Sequence, residues 1–223
     1  PPADSDVDFQ LTVTATATEI DPDTGEVTTA NTTATIDVTV DAVADAPDLT
    51  VAAASGNEDS AIALDIGAAL TDTDGSEVLA ITISGVPDGA ELSNGSEISP
   101  GVWEVDPAAL DGLTITPPAD SDDDFALTVT ATSTDGTSTA TSSGTVDVTV
   151  AAVADAPDLT VAAASGDEDS AIGLDIDAAL TDLDGSEALS ITIDGVPEGA
   201  TLSAGVVNED GSVTLTPDQL ENL

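Results

Sequence analysis

One stretch decides the fold class: Val43-Ala-Asp-Ala-Pro-Asp-Leu-Thr-Val-Ala-Ala-Ala-Ser-Gly56, which recurs unchanged as Val153 to Gly166. The displacement is 110 residues, and Asp74-Gly-Ser-Glu77 returns at the same displacement as Asp184 to Glu187. Self-similarity at a fixed period is typical of proteins built from tandem structural repeats. The sequence therefore predicts repeats of about 110 residues arranged as a linear rod.

The amino-terminal segment also belongs to this pattern, but at a different displacement. Pro1 to Phe9 matches Pro117 to Phe125 at 116 residues, because the loop Glu19 to Glu26 is longer than Thr134 to Gly136. The predicted organisation is the carboxy-terminal half of one repeat in residues 1–46, a complete repeat in 47–156 and the amino-terminal half of the next in 157–223.

Each predicted half is expected to need its complement, since half a repeat exposes apolar faces and unpaired strand edges. The complement could come from the same covalent chain or from the next subunit, and the sequence leaves both open. Neighbouring identical repeats are therefore the expected partners.

Strict alternation of apolar and polar residues predicts strands. Phe125, Leu127, Val129 and Ala131 alternate with threonines, and other runs show the same period with Gly, Pro, Asp and Ser between them. These runs are Val146, Val148 and Val150, then Ile62, Leu64 and Ile66, then Leu79, Ile81 and Ile83. About seven short strands per repeat are typical of a Greek-key β-sandwich, so an all-β fold is expected, with only short helical turns such as 106–111.

The negative charge of the chain must be offset by cations from the surroundings. There are 45 carboxylates and no Lys, Arg or His, which gives a net charge of −45, whereas a small soluble domain usually carries roughly 2–8 charges. Disorder is disfavoured, because 40% of the residues are apolar and regularly placed. Salt or a divalent metal must offset the repulsion, and carboxylate oxygens suit Ca²⁺.

The same composition excludes several functions. Without Lys or Arg, neither nucleic acid nor an anionic membrane surface is an expected partner. No His, Lys, Cys or Tyr is present to act as a base or nucleophile, so we do not expect an enzyme. The absence of cysteine also excludes disulfides and thiolate metal sites.

Acidic groups recur in each repeat, and an Asp-x-Asp spacing in an extended segment can aim two carboxylates at one ion. An EF-hand is excluded because Ile83 occupies the twelfth position of a loop that starts at Asp72, where a glutamate is needed. The predicted calcium ligands are Asp45, Asp48, Glu58, Asp59, Asp72, Asp74, Glu77, Asp122 and Asp124, with Asp155, Asp158, Glu168, Asp169, Asp182, Asp184, Glu187, Asp6 and Asp8 at matching positions.

These motifs resemble a known family. The turn Leu70 to Glu77 before the strand Leu79 to Ile83 is similar to the cadherin Asp-x-Asp turn, and Val43 to Pro47 resembles the cadherin junction. Glu58 resembles the acidic residue near the start of each cadherin domain. The chain thus looks like the cadherin-like or Ig-like tandem repeats of giant bacterial surface adhesins of the repeats-in-toxin type. The resemblance implies calcium at the junctions, an extracellular location and a role in adhesion or biofilm.

The resemblance has departures. Ala42 and Ala44 flank Val43 where cadherins have further ligands, and Thr132 and Ser133 stand where an Asp follows the strand. One or two ions per junction are therefore expected.

The expected function is a structural extender or fibre module, with any surface or matrix ligand bound elsewhere in the protein. One alternative is a noncovalent matrix filament subunit completed by strand or half-domain exchange. Another is a carbohydrate- or ice-binding module. Trp103 is the candidate sugar platform, but Val213 replaces it at the matching position. The threonine rows that could form an ice-binding array are better explained as solvent faces of strands; they are Thr128, Thr130, Thr132 and Thr12, Thr14, Thr16.

Overall fold

The computed structural model describes residues 1–2, 4–72, 74–221 and 223. This part of the chain is all-β, with two short 3-10 turns, Pro107–Ala109 and Pro217–Gln219. The first of these turns lies inside the helical turn predicted for 106–111, and Asp106 caps it by accepting a hydrogen bond from the Ala108 amide at 2.9 Å. No helix among the described residues is long and apolar enough to cross a membrane.

The strands follow one another along the chain with short connections. They are β1 (Phe9–Ile20), β2 (Val27–Val38), β3 (Asp48–Val51), β4 (Ala54–Asn57), β5 (Ile62–Ala63), β6 (Ile66–Ala69), β7 (Val78–Ser84), β8 (Glu91–Leu92), β9 (Ser96–Ser99), β10 (Val102–Val105), β11 (Thr114–Thr116), β12 (Phe125–Asp135), β13 (Ser138–Ala151), β14 (Asp158–Val161), β15 (Ile176–Ala179), β16 (Ile191–Ile193), β17 (Val206–Val207) and β18 (Val213–Leu215).

The amino-terminal hairpin consists of β1 and β2, paired antiparallel from Phe9 opposite Val38 to Ile20 opposite Val27. Its loop is closed by Asp21, whose Oδ1 accepts hydrogen bonds from the Asp23 amide at 2.8 Å and the next amide at 3.0 Å. Side chains on both faces of the hairpin are exposed. A two-stranded hairpin has no second layer of its own to cover its apolar face.

The central unit, residues 47–156, contains three sheets around one core. Their strand orders are β4-β13-β12-β7-β10-β9, β5-β11-β8 and β3-β6. All the pairs in the three sheets are antiparallel except β4 with β13. The longest strands, β12 and β13, lie side by side within the six-stranded sheet.

The core of the central unit is shared between the sheets. Ile81 and Ile83 of β7 and Leu127 of β12 are fully buried together with Ile115 of β11, which belongs to the three-stranded sheet. Burial alternates along β12 as its sequence predicts, because successive side chains of a strand point to opposite faces. Trp103 is half-buried and packs against this core.

The run Ile62, Leu64 and Ile66 differs from its expected form as one strand. It is divided into β5, which pairs with β11, and β6, which pairs with β3. The chain crosses between the two sheets at Leu64, whose amide donates to the Leu113 carbonyl at 2.9 Å. Breaks of this kind explain why eleven strands occupy the described part of residues 47–156 where about seven were expected.

The carboxy-terminal unit, residues 157–223, forms two small sheets, β14-β15 and β16-β18-β17. Its own core consists of a few residues from β16, from β18 and from the segment after the second 3-10 turn, namely Ile191, Val213, Leu215, Leu220 and Leu223. This core is separate from that of the central unit.

The chain provides a matched pair for testing core packing. We expect Leu127→Ala to lower the free energy of unfolding of the central unit by about 2–5 kcal/mol, because Leu127 is fully buried and truncation leaves a cavity. Leu11→Ala, at the matching position of the exposed hairpin, should leave this transition unchanged. Denaturant unfolding followed by the fluorescence of Trp103, the only tryptophan, measures both. Equal losses for the two variants would contradict the assignment of the core.

Candidate metal centre

The turn between β6 and β7 is built by short side-chain bonds to the backbone. Asp72 Oδ1 accepts a hydrogen bond from the Asp74 amide at 2.7 Å. Asp74 Oδ1 accepts from the Ser76 amide at 2.8 Å and from the Ser76 hydroxyl at 2.6 Å. Gly75 has a φ of 97°, a conformation that side chains disfavour. The turn therefore holds two carboxylates in fixed positions, and Thr73 between them lies outside the described residues.

The second copy of this turn is built in the same way. Asp182 Oδ1 accepts from the Asp184 amide at 2.8 Å, and Asp184 Oδ1 accepts from the Ser186 amide at 2.7 Å. Gly185 has a φ of 99°. The two turns differ in sequence only at Thr73 and Leu183, and they form the same backbone hydrogen bonds.

Each turn also fixes the linker that precedes its unit. The amide of Asp45 donates to Glu77 Oε1 at 2.7 Å, and the amide of Asp155 donates to Glu187 Oε1 at 2.6 Å. In both glutamates, Oε2 is buried and has no hydrogen-bond partner among the described residues. One oxygen of each glutamate therefore orients the linker while the other remains available.

The first junction lies between the amino-terminal hairpin and the central unit. Here Asp45, Asp72 and Glu77 each place a carboxylate oxygen within 4.8 Å of the other two. Asp72 and Glu77 are buried. A cavity of about 250 Å³ opens beside them, lined by Pro2, Asp4, Ser5, Asp6, Asp41, Val43, Asp45, Asp72 and Asp135.

Asp135 is a site residue that the sequence analysis missed. It ends β12, is buried, and has a raised pKa because of burial and the nearby charges of Asp6, Asp74 and Glu77. The signal was present, since Asp135 continues the inward-facing positions of β12 that begin at Phe125. Asp4 and Asp41, which also line the cavity, were not among the predicted ligands either.

The second junction joins the central and carboxy-terminal units, and its first cluster contains Glu58, Asp182 and Asp184. Glu58 Oε1 accepts from the Val153 amide at 2.6 Å. Glu58 and Asp182 are each only 1% exposed, and their second oxygens, Oε2 and Oδ2, have no partner in the described part of the chain. Two buried, unpartnered carboxylate oxygens from different units thus belong to one cluster.

A further cluster of the second junction contains Asp59, Asp120 and Asp155, with ligand atoms again within 4.8 Å of one another. The Asp120 amide donates to Asp59 Oδ1 at 3.0 Å. Asp59 and Asp120 are exposed, so this cluster is more open to water than the cluster around Glu58.

The electrostatics of the second junction are unfavourable without a cation. The Val153 amide lowers the pKa of Glu58, but burial and the charges of Asp182, Asp184 and Asp59 outweigh it, so the pKa is raised. Burial and the charges of Asp59 and Asp182 also raise the pKa of Asp120. Repulsion between carboxylates accumulates at this place because the chain supplies no cationic side chain.

Two neighbouring groups complete the charge distribution. Burial raises the pKa of Asp122, and the adjacent charge of Asp184 raises it further. Hydrogen bonds from the amide and hydroxyl of Ser186 lower the pKa of Asp184. These bonds favour the ionised form of Asp184.

The remaining predicted ligands lie outside the three clusters. Asp124 Oδ1 accepts from the Val150 amide at 2.8 Å and Asp8 Oδ1 from the Val40 amide at 2.9 Å, which are bonds that order the backbone. Four further predicted ligands are exposed. Asp48 begins β3, Asp158 begins β14, and Glu168 and Asp169 precede Ile172.

The donor set determines what the junctions can bind. All the side-chain donors in the three clusters are carboxylate oxygens, which are hard ligands that suit Ca²⁺, Mg²⁺ or Mn²⁺. In the cluster around Glu58, any bound cation would contact residues of two units at once. Such an ion would neutralise the repulsion and link the units.

Comparisons with known proteins add little. No family model and no curated protein matches the chain. Among solved structures it is similar to an endo-fucoidan hydrolase from glycoside hydrolase family 107, at 15% identity and a TM-score of 0.29, over 86% of this chain and 32% of that one. It is also similar to domains 4–9 of the surface layer protein SbsC, at 14% identity and a TM-score of 0.21, over 91% and 30%. The chain spans less than a third of each, and such low TM-scores carry no argument.

The raised pKa of Glu58 predicts a stability effect that depends on pH. A carboxyl whose pKa is higher in the folded state stabilises the fold below its usual pKa, and that contribution is lost as pH rises through the raised pKa. In metal-free buffer, Glu58→Gln should therefore raise the thermal midpoint at pH 7 and change it little near pH 4, where Glu58 is already protonated.

Glu104→Gln is the matched control, because Glu104 lies exposed on β10 outside the three clusters. Thermal melts of both variants at several pH values measure the difference. If Glu58→Gln lowered the midpoint at pH 7 in metal-free buffer, the electrostatic description of the junction would be wrong.

Proposed function

We propose that this chain is a non-catalytic structural extender made of tandem Greek-key β-sandwich repeats of about 110 residues in a linear rod, with calcium ions holding its junctions. The observation that carries the proposal is the pair Glu58 and Asp182. They come from successive units, are almost fully buried, and each has an unpartnered oxygen. A buried polar group without a partner is costly, and a charged group more so.

Calcium fits these ligands better than other cations do. It accepts about six to eight oxygens in flexible geometry, whereas Mg²⁺ requires a near-ideal octahedron and keeps several waters. The carboxylates of Glu58, Asp182 and Asp184, with Asp122 beside Asp184, supply part of such a set and water the rest. Transition metals are disfavoured because the chain has no His or Cys.

The contacts at the second junction support the proposed rod. The linker is short and is fastened at Asp155 to Glu187, while the apolar cores of the central and carboxy-terminal units stay separate. The joint therefore depends mainly on polar contacts and on charge. Calcium would convert a repulsive joint into a stiff one, and the same chemistry at both junctions would repeat this along the chain.

The location and the partners follow from the same reasoning. Extracellular calcium modules bind at about 10⁻⁴–10⁻³ M, which suits water-accessible clusters such as that of Asp59. We propose an extracellular location on a bacterial surface, in an adhesin or a matrix fibre. The partners are neighbouring identical repeats, in the same chain or the next subunit.

Calcium binding is tested by titration calorimetry of the metal-free chain. We expect Ca²⁺ to bind and raise the thermal midpoint, and we expect Glu58→Gln to weaken binding at the second junction by roughly tenfold or more, because ligand charge sets affinity. Glu104→Gln removes the same charge outside the clusters and should bind as the parent does. Equal binding by the two variants, or no binding by the parent, would exclude the site.

Stiffness is tested by small-angle X-ray scattering in calcium and in EDTA. The bound ions should narrow the range of particle lengths and hold the chain extended, because they remove the repulsion and fix the linker. Adding calcium back should restore the profile, and equimolar magnesium tests selectivity. Identical scattering with and without calcium would refute the extender mechanism even if the ions bind.

A further inference from the structure

The amino-terminal hairpin presents an apolar face that is buried at the matching positions of the central unit. Leu11 of β1 is 47% exposed, whereas Leu127 of β12 is 0% exposed. Ile36 of β2 is 51% exposed, whereas Val146 of β13 is 0% exposed. The side chains are of the same kind, so the difference arises from what covers them.

The carboxy-terminal unit also exposes apolar side chains that are more buried at the matching positions of the central unit. Ile172 is 44% exposed, whereas its counterpart Ile62 is 2% exposed. Val161 is 65% exposed, whereas Val51 is half-buried and packs against the core. In the central unit Val51 lies beside Gly144 of β13, and Ile62 belongs to the same core as Leu127 and Val146 of the β12–β13 hairpin.

A backbone edge is also unpaired there. Residues 54–57 form β4, which pairs in parallel with β13, but residues 164–167 have the matching sequence positions and form no strand. In the central unit β12 pairs with β7, with Val129 opposite Ile83. Among the described residues, the surface that β12 and β13 cover in the central unit is therefore uncovered in residues 157–223.

We propose that the amino-terminal hairpin of one copy docks on the carboxy-terminal unit of a second copy, in the place that β12 and β13 occupy in the central unit. Val13 then lies opposite Ile193, as Val129 lies opposite Ile83. The two surfaces are different and lie at opposite ends of the sequence. Each such contact leaves one hairpin and one acceptor surface free, so further copies can add head to tail.

One position of the interface requires adjustment. Gly144 of β13 lies so close to Val51 that a Cβ atom would stand 2.8 Å from Val51 Cγ2. The docked hairpin carries Ala34 at this place and the acceptor carries Val161. The exposed Val161 side chain must shift slightly, which is a small change for a residue that other side chains do not confine.

Charge opposes the contact, because every copy carries −45. Salt removes this opposition without any specific ion, since the screening length falls to about 3 Å at about 1 M ionic strength. Association can therefore be measured in concentrated NaCl with EDTA. This condition separates the docking proposal from calcium binding, so that either can fail alone.

The experiment is sedimentation velocity of the 223-residue chain over a wide range of protein concentration in that buffer. We expect a series of growing linear species. Val13→Asp should block the hairpin and Val161→Asp should block the acceptor, so that each variant alone is monomeric. An equimolar mixture should give a dimer and nothing larger, because only one intact hairpin and one intact acceptor meet.

Thr12→Asp is the matched control, because Thr12 corresponds to Thr128, which stays exposed in the central unit. It adds the same charge on the other face of β1 and should assemble as the parent does. Trp103 fluorescence reports whether each variant remains folded. The proposal is overturned if the parent stays monomeric, if Val13→Asp assembles normally, or if a dimer of hairpins persists in Val161→Asp.

Discussion

The burial of Glu58 beside Asp182 is the interaction on which the junctions depend. Two carboxylates that belong to different units are held in one cluster by the amides of Val153 and Asp184, although burial and mutual repulsion both oppose their ionised forms. Those amides satisfy one oxygen of each side chain and leave the other unpartnered. The proposed cation would meet carboxylates that are already positioned, so its binding would require little further ordering.

The interior of the central unit and the contacts between units are stabilised by different forces. Inside the central unit, Ile83 and Leu127 belong to an apolar core that depends little on ions. Between units, the contacts include the hydrogen bond from the Asp155 amide to Glu187 and the cluster of Glu58 with Asp182 and Asp184, which are polar and surrounded by like charge. A change in cation concentration should therefore act first on the joints and leave the units folded.

Local periodicity predicted the fold well and the site in part. Alternation along β12 is correct, and following it beyond Ala131 would have found Asp135. The expectation that alternate acids of an extended segment point the same way failed at Asp120. Its φ of 52° takes the chain out of an extended conformation. Asp120 therefore reaches Asp59, whereas Asp124 turns to a backbone amide. Both pairings join residues that are distant in sequence. The spacing of the acids therefore could not show that Asp120 is a candidate ligand while Asp124 orders the backbone.

The same limit explains the exposed apolar faces. The pattern that buries Leu127 also predicts which face of β1 contains Leu11, but a pattern specifies a face and not the surface that covers it. Within the described residues, neither Leu11 nor Ile172 is covered by its own unit. Like charges oppose contact between these faces in dilute salt and also repel across the cluster around Glu58. Neutralisation by ions is thus the condition that both proposals require.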